Sequence, residues 1–328
     1  MEGHSSAESS DASHLQEEDT GRCHALQVRK GQPATRLRTY SACSYRLYHD
    51  PKAASIAIPE GSQIPVNYLT PQQRRGIGYV SAGALGFGAI KTGLAGAAAT
   101  SSILAVGSGA VLLIPSLLRN CSLYGQVVTR FAPEDRQVWL TIDDGPTPEN
   151  TLEMLDVLSR HDALATFFCI GQQIAKHPEL AIAIHSSGHS LQNHTYSHSA
   201  GTFWATTRSR ASSEISECSR LIQNASGLSP IQFRAPAGLA NPLLHRAVED
   251  AGLSFVGWSA SGFDGVPRDP KAVIQRIMHS VKPGAIILLH ESSLKNMRPG
   301  TRARTLESLL KGLHEEGYTT TIPSLNLI

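Results

Sequence analysis

The sequence predicts an α/β fold with a parallel sheet, either closed as a β/α barrel or open as a doubly wound sheet. From residue 132 to residue 328, seven short apolar runs alternate with amphipathic segments, as in chains built from repeated βαβ units. This region of 197 residues is near the lower size limit of a barrel. No glycine-rich loop follows the first run, so a dinucleotide site has no support.

The seven apolar runs predict strands, and the segments between them predict helices. Strands are expected at VWLTI (138–142), ATFFCI (165–170), HSLQNH (189–194), QFRAP (232–236), LSFVGWS (253–259), AIILLH (285–290) and YTTTIPSL (318–325). Amphipathic spacing of the apolar residues predicts helices over 148–161, 173–187, 209–226, 241–251, 270–281 and 302–316.

Two regions of different composition precede this domain. Residues 1–75 are polar and aperiodic, which predicts a disordered tail. Residues 76–120 are hydrophobic, and Lys91 is the only charge over 76–118, a stretch longer than the roughly 20 residues that span a bilayer core. We expect membrane association through 76–118, the alternatives being a small-residue linker or a packed helical hairpin. With a single span, the flanking basic residues favour an extracytoplasmic or lumenal C-terminal domain, and a two-span hairpin would reverse that placement.

Charge and cysteine content argue against other classes of function. The formal net charge is +2, from 29 basic and 27 acidic residues, and no basic-aromatic patch runs along the chain. Nucleic acid is therefore not an expected partner. The five cysteines form no Cys-x-x-Cys pair, so zinc-thiolate sites are not expected and a dense disulfide scaffold is excluded.

Ionisable or metal-binding side chains follow five of the seven predicted strands. They are Asp143 and Asp144, His194 and His198, Arg234, Asp264, and His290. The loops at the carboxyl ends of barrel strands form the active sites of β/α barrels. We therefore expect these side chains to lie together on one rim of the fold.

The histidines of NHTYSH and the aspartates of TIDDGP predict a metal centre. His194 and His198 are four residues apart, a spacing that directs both imidazoles the same way on one helical turn. Two imidazoles and one carboxylate leave a position open for water, as in catalytic zinc sites. One aspartate can then bind the metal while the other accepts the water's proton. Alone, Asp143 and Asp144 would be better explained by a turn that caps the next helix, and the two histidines favour the metal site.

Two further strand ends carry candidates for catalysis. Arg234 in FRAPAG is suited to a bidentate pair with a carboxylate, which would fix that carboxylate's charge and direction. His290 follows a fully apolar strand, and a general acid is the expected role beside a metal. A second histidine pair with the same spacing, His185 and His189, is expected to contain only surface and core histidines.

Five motifs in series resemble those of the polysaccharide deacetylases, which are carbohydrate esterase family 4 and share the NodB homology domain. TIDDGP, ATFFCIG, NHTYSH, FRAPAG and LLH occur in that family's order and approximate spacing, over residues 137 to about 325. The resemblance implies a distorted (β/α)7 barrel over 132–328. It also implies divalent-metal hydrolysis of N-acetyl groups in glycans such as chitin, chito-oligosaccharides or peptidoglycan. Zn²⁺ is the first expectation, with Co²⁺, Ni²⁺ or Mn²⁺ as alternatives.

Carried over residue by residue, the resemblance implies a role for each motif position. The implied metal ligands are Asp144, His194 and His198. Asp143 is implied as the catalytic base, and Arg234 as the arginine that tethers it.

The remaining positions concern the acid and the substrate. His290 is implied as the acid that protonates the leaving amine, with Asp264 orienting His290 or Arg234. The implied oxyanion donor is the backbone N–H of Ala237, and Leu288 is implied to line the acetyl pocket. The substrate-binding positions are thus Pro236, Ala237, Gly238 and Leu288.

Two motifs depart from the family's pattern. Ala237 stands where many members carry an aromatic residue, and the usual pair of aspartates followed by tryptophan reads Ser261, Asp264 and Gly265. We expect metal chemistry to persist and the polymer groove to change, which would suit a lipid-linked or short glycan. Two alternatives are a non-catalytic glycan-binding membrane protein on the same fold and an amidase acting on a non-sugar amide.

Overall fold

The computed structural model describes residues 113–324. The predicted tail and most of the predicted membrane segment lie outside the described residues, so both stay predictions. Of that segment, residues 113–118 are described. They contain a 3₁₀ turn at Ile114–Leu117, and Leu113, Ile114, Leu117 and Leu118 are exposed. Between residues 113 and 324 no helix has the length and apolar character needed to cross a bilayer.

Strands and helices alternate along the described chain, as the sequence predicts. The strands are β1 (Gln137–Asp143), β2 (Ala165–Cys169), β3 (Ser190–Asn193), β4 (Gln232–Phe233), β5 (Ser254–Phe255), β6 (Ala260–Ser261), β7 (Ile286–His290) and β8 (Thr319–Thr320). The α-helices are α1 (Thr151–Arg160), α2 (Gly171–Lys176), α3 (Pro178–Ser186), α4 (Arg208–Ser226), α5 (Pro242–Asp250), α6 (Pro270–Ser280) and α7 (Thr301–Glu315).

The strands form one sheet in the order β5-β4-β3-β2-β1-β7-β6, and β8 pairs with the start of β1. Every ladder is parallel. Within residues 113–324 no ladder joins β5 to β6, so the sheet is a half-barrel. The predicted parallel α/β fold is confirmed.

The alternation of side chains along the central strands separates the core from the site. On β1, Leu140 and Ile142 pack in the main core cluster with residues of the surrounding helices. Trp139 belongs to a second cluster, which it forms with Phe168 and Ile286 of the neighbouring strands. Because successive strand side chains point to opposite faces, Thr141 and Asp143 share the face of Trp139. The last residue of β1 therefore points into the half-barrel.

Two predicted elements are divided in the structure. The helix expected over 173–187 is two helices, because Pro178 lacks an N–H and disfavours helical backbone at the residue before it. His177 accordingly has φ −135° and ψ 60°. Of the strand expected over 253–259, only β5 joins a ladder, with Val256 in an isolated bridge, and β6 follows outside that range as a separate strand beside β7. The fold therefore has eight strands where seven were predicted.

The segment before β1 packs on the half-barrel. Tyr124 is 1% exposed, and Val128 forms a parallel bridge to Val256. The Asn120 backbone N–H donates to the carbonyl of Gly238 at 2.9 Å, and its side-chain amide donates to the carbonyl of Trp258 at 3.0 Å. Residues 120–128 thus belong to the same packed unit as the strands.

Candidate active site

One carboxylate and two imidazoles converge where β1 and β3 end. Asp144 follows β1, and its Oδ1 lies 3.6 Å from His194 Nε2 and 3.4 Å from His198 Nε2. One ligand atom from each residue lies within 4.8 Å of the other two. The structure therefore brings together the three residues predicted as metal ligands.

The backbone that presents the two histidines is irregular. His194 and His198 lie in a loop after β3, with left-handed φ values of 68° at Thr195 and 50° at His198. The sequence argument placed both rings on one helical turn, and that geometry is wrong. The centroids of the two imidazole rings nevertheless lie 4.7 Å apart, because the positive φ values turn the loop back on itself.

The three residues fit a divalent cation on two observations. His194 Nδ1 lies 2.9 Å from the carbonyl oxygen of Arg234, so Nδ1 carries the donated proton and the Nε2 lone pair faces Asp144. Such a hydrogen bond typically orients a metal-binding histidine. Asp144 Oδ1 is buried and accepts no hydrogen bond from the described residues, an arrangement that is costly unless a cation compensates it.

The electrostatics of the three residues also suit metal binding. Burial and the neighbouring His194 lower the pKa of His198 to about 4, so its imidazole is neutral at pH 7 and can donate a lone pair. Burial raises the pKa of Asp144, but the approach of His194 and the charge of His290 outweigh burial and hold it well below its usual range. Asp144 is therefore a carboxylate at every physiological pH.

Asp143 is held by a buried arginine. Arg234 Nη1 donates to Asp143 Oδ1 at 2.6 Å, and the two side chains are 1% and 3% exposed. The other oxygen, Oδ2, lies 3.7 Å from His194 Nε2 and therefore faces the metal-binding group. The contact is single, where a bidentate pair was predicted, so it leaves one carboxylate oxygen to act at the site.

Arg234 is fixed by contacts on every side. Its guanidinium donates to Thr141 Oγ1 at 2.8 Å, and to the carbonyls of Gly257 at 2.8 Å and Val256 at 3.3 Å. The guanidinium carbon lies 4.1 Å from the ring centroid of Phe168. Because a buried charge needs both a partner and satisfied donors, this network sets the direction of Asp143 rigidly.

His290 ends β7 beside Asp143 in the sheet. Its Nδ1 lies 2.9 Å from Asp264 Oδ1, and its backbone N–H donates to Asp264 Oδ2 at 2.8 Å. Burial lowers the pKa of His290, but the hydrogen bond and charge of Asp264 outweigh burial and raise it to about 9. The imidazole is therefore protonated at neutral pH, with Nε2 left to donate a proton.

A second buried arginine was missed by the sequence reasoning. Arg302 is 4% exposed, and its Nη1 donates to Asp264 Oδ2 at 3.0 Å. Its Nε and Nη2 donate to the carbonyl of Ser292 at 2.9 and 2.6 Å. The Ser292 hydroxyl donates in turn to Asp144 Oδ2 at 2.8 Å. Arg302 thus connects the partner of His290 with the partner of Asp144.

Glu291 fixes the loop after the paired aspartates. Its Oε1 accepts from the backbone N–H of Thr147 at 2.8 Å and from the Thr151 hydroxyl. Burial raises its pKa to about 7. Helix α1 begins only at Thr151, and no side chain caps it. The alternative of an aspartate turn that caps this helix is therefore wrong.

The predicted substrate positions lie on the same rim. Pro236, Ala237 and Gly238 form a 3₁₀ turn directly after Ala235, with φ 55° at Ala237. Leu288 is 3% exposed and stands two residues before His290 on β7, so the two side chains point to one face. A Cβ atom at Gly265 would lie 3.2 Å from His290 Cε1, so the backbone passes close to the imidazole there.

A second pair of histidines has the same sequence spacing as His194 and His198 but lies outside the site. His185 lies on α3, and His189 is 5% exposed with its ring 5.7 Å from Phe167. Burial lowers the pKa of His189 to about 4. They are a surface and a core histidine, as predicted.

The carboxyl rim of this half-barrel carries paired carboxylates, two imidazoles and a protonated histidine. This combination defines a metal-dependent hydrolase. The profile of the family described as polysaccharide deacetylase matches residues 131–256. A chitooligosaccharide deacetylase of Sinorhizobium fredii is 34% identical over 203 residues, which cover 60% of this chain and 94% of that relative. The chain belongs to the polysaccharide deacetylase family, and the relatives that carry the name deacetylase are hydrolases of carbon–nitrogen bonds outside peptides.

Other relatives are similar over the same domain. A peptidoglycan-N-acetylmuramic acid deacetylase of Bacillus subtilis is 29% identical over 186 residues, which cover 57% of this chain and 38% of that protein. The family 4 carbohydrate esterase of Streptomyces lividans, solved with acetate, is 28% identical with a TM-score of 0.52, covering 58% of this chain and 94% of that one. A mutant of a family 4 pseudoenzyme with restored activity is 26% identical with a TM-score of 0.53, covering 59% and 68%. Because both active and inactive proteins share this fold, the site residues must decide activity.

Proposed function

We propose that this chain is a metal-dependent N-deacetylase that releases acetate from an N-acetylated glycan of the chito-oligosaccharide or peptidoglycan type. The observation that carries the proposal is the complete set of groups on one rim. Asp144, His194 and His198 can hold the cation, while Asp143 and His290 stand on adjacent strands beside it. A non-catalytic glycan-binding protein would have no need of an intact acid and base.

The bound cation would supply Lewis-acid polarisation of the acetyl carbonyl and a lowered pKa for water. Zn²⁺ suits a set of two imidazoles and one carboxylate with an open position, and we propose it as the resident ion. Co²⁺, Ni²⁺ and Mn²⁺ accept similar ligands and are the alternatives.

Asp143 acts as the general base. Its Oδ1 is occupied by Arg234 at 2.6 Å, so Oδ2 takes the proton of the water that attacks the acetyl carbon. The new carbon–oxygen bond forms as that proton moves to Oδ2. The backbone N–H of Ala237 is proposed to stabilise the negative charge that develops on the carbonyl oxygen.

His290 acts as the general acid. Its Nδ1 is held by Asp264, so Nε2 donates its proton to the nitrogen of the leaving amine as the carbon–nitrogen bond breaks. The products are acetate and a free amino sugar, and the protons balance between water, Asp143, His290 and the amine. Leu288 is proposed to line the pocket of the acetyl methyl group.

Removing the metal is expected to abolish acetate release. The test incubates the full chain with chitotetraose and measures acetate before and after dialysis against a chelator, followed by addition of Zn²⁺, Co²⁺ or Mn²⁺. We expect the activity to disappear with chelation and to return with at least one ion, because the chain's own groups cannot polarise the carbonyl alone. Chelator-resistant acetate release would contradict the proposal. The proposal would also be contradicted if the metal-loaded protein bound N-acetylated glycans but released acetate from none of them.

Replacing His198 with alanine is expected to weaken metal binding by more than about 100-fold, because even residues that only support a ligand typically contribute 10- to 100-fold. The measurement is the dissociation constant for Zn²⁺ from competition with a chromogenic chelator, which does not depend on turnover. His185→Ala is the matched control, since it removes a histidine of the same sequence spacing from outside the site. Equal affinity of the wild type and His198→Ala would refute the ligand assignment.

A further inference from the structure

An exposed aromatic ring surrounded by arginines lies next to the catalytic acid. Phe263 is 38% exposed and precedes Asp264, the partner of His290. The guanidinium carbons of Arg276, Arg119 and Arg268 lie 5.1, 5.6 and 5.7 Å from the Phe263 ring centroid. We call Phe263 and these three arginines the Phe263 cluster.

The three arginines reach Phe263 from separate parts of the chain. Arg119 lies in the segment before β1, Arg268 in the loop after β6, and Arg276 on α6. Phe263 itself has φ 57°, a left-handed conformation that is unfavourable for a side chain of this size. The fold therefore assembles this cluster from distant elements and at a local conformational cost.

The arginines of the cluster have no acidic partner among residues 113–324. The ion pairs of the described chain involve other arginines. Within residues 113–324, the three guanidiniums of the cluster form no side-chain hydrogen bond and no ion pair with a carboxylate. Stacking on an aromatic ring orients a guanidinium and leaves its N–H groups available. Each of the three arginines thus has up to five N–H donors available to an anion at the cluster.

We propose that the Phe263 cluster binds an anionic group, a carboxylate or a phosphate, carried by the glycan substrate. Arginine binds both groups through paired N–H donors. The loop that carries Phe263 passes His290 at Gly265, so an anion bound there belongs to a sugar near the reacting one.

This inference rests on the proposed deacetylase function, so its test uses binding instead of turnover. The full chain carrying Asp143→Asn is titrated calorimetrically with two matched pairs of ligands. One pair is the N-acetylglucosamine–N-acetylmuramic acid disaccharide and its neutral methyl ester. The other is N-acetylglucosamine 1-phosphate and N-acetylglucosamine. We expect at least one anionic ligand to bind about tenfold more tightly than its neutral partner, as two or three exposed charge pairs allow.

Adding Arg268→Gln and Arg276→Gln is expected to reduce the ratio of the anionic ligand's affinity to that of its neutral partner to about one. About 0.5 M NaCl should reduce this ratio in the same way by screening the charges. Arg246→Gln on α5 is the control, because Arg246 is also exposed but lies outside the cluster, and it should keep the ratio. A misfolded variant would lose both ligands of a pair alike.

Three results would overturn the inference. The first is equal affinity within both pairs, and the second is a preference that survives Arg268→Gln with Arg276→Gln. The third is binding of phosphatidylglycerol vesicles that depends on these arginines without any preference among the glycans, which would assign the cluster to a lipid headgroup. If the wild type releases no acetate but the ratio holds, only the deacetylase function fails.

Discussion

Replacing Asp143 with asparagine is expected to lower kcat for acetate release by roughly 10²- to 10⁴-fold, the usual contribution of a positioned general base. Asparagine has nearly the same shape and can still accept the hydrogen bond from Arg234 Nη1. It cannot accept a proton from water at Oδ2, the position that faces the metal-binding group. The rate should therefore fall while the geometry of the site is largely kept.

Two measurements separate this loss from a loss of structure or of metal. The variant should bind Zn²⁺ with an affinity close to that of the wild type, because Asp144 and both histidines remain. Its free energy of unfolding should fall, since Arg234 loses its counter-charge, and breaking a buried pair typically costs about 3–5 kcal/mol. Rates are therefore compared per folded molecule. An Asp143→Asn protein that is folded, metal-loaded and fully active would remove Asp143 from the mechanism.

The residues at strand ends were predictable because they depend on only two regularities. Parallel strands in βαβ units have their carboxyl ends on one rim, and side chains alternate along each strand. A correct prediction of both strands places Asp143 and His290 on one rim, and the order of the sheet then sets them side by side in register. No knowledge of the loops is needed for that result.

The groups that loops position could not be predicted in the same way. Ser292 reaches Asp144 through the loop that follows β7, and no periodicity encodes the path of that loop. The convergence of His194 and His198 depends on left-handed backbone at Thr195 and His198, for which the sequence carries no glycine as a signal. The predicted helical turn was therefore wrong.

Arg302 did leave a signal in the sequence. It stands four residues before Leu306 and seven before Leu309, so it lies on the buried face of α7. An arginine at a position with the spacing of a core leucine requires a buried acidic partner. Asp264, a strand-end residue, supplies that partner. A search for charged residues at core spacing would have found Arg302.

Replacing Asp264 with asparagine is expected to move the alkaline limb of kcat/KM to lower pH by at least about one unit, the size of shift that a close charge partner produces. As a general acid, His290 works only while protonated, so activity falls as pH rises through its pKa. The hydrogen bond and charge of Asp264 raise that pKa to about 9 against the effect of burial. Asparagine has no charge, so the pKa falls and the protonated form is lost at lower pH.

The measurement is the pH profile of kcat/KM for the wild type and the Asp264→Asn variant, each loaded with the same metal. A bound divalent cation lowers the pKa of His290 in both proteins, so the predicted effect is the displacement between the two alkaline limbs. Loss of the Arg302 ion pair will also reduce stability, but instability lowers the rate at every pH and moves no limb. His290→Gln should remove the limb altogether and retain metal binding. An unchanged limb in Asp264→Asn would mean that another group donates the proton to the leaving amine.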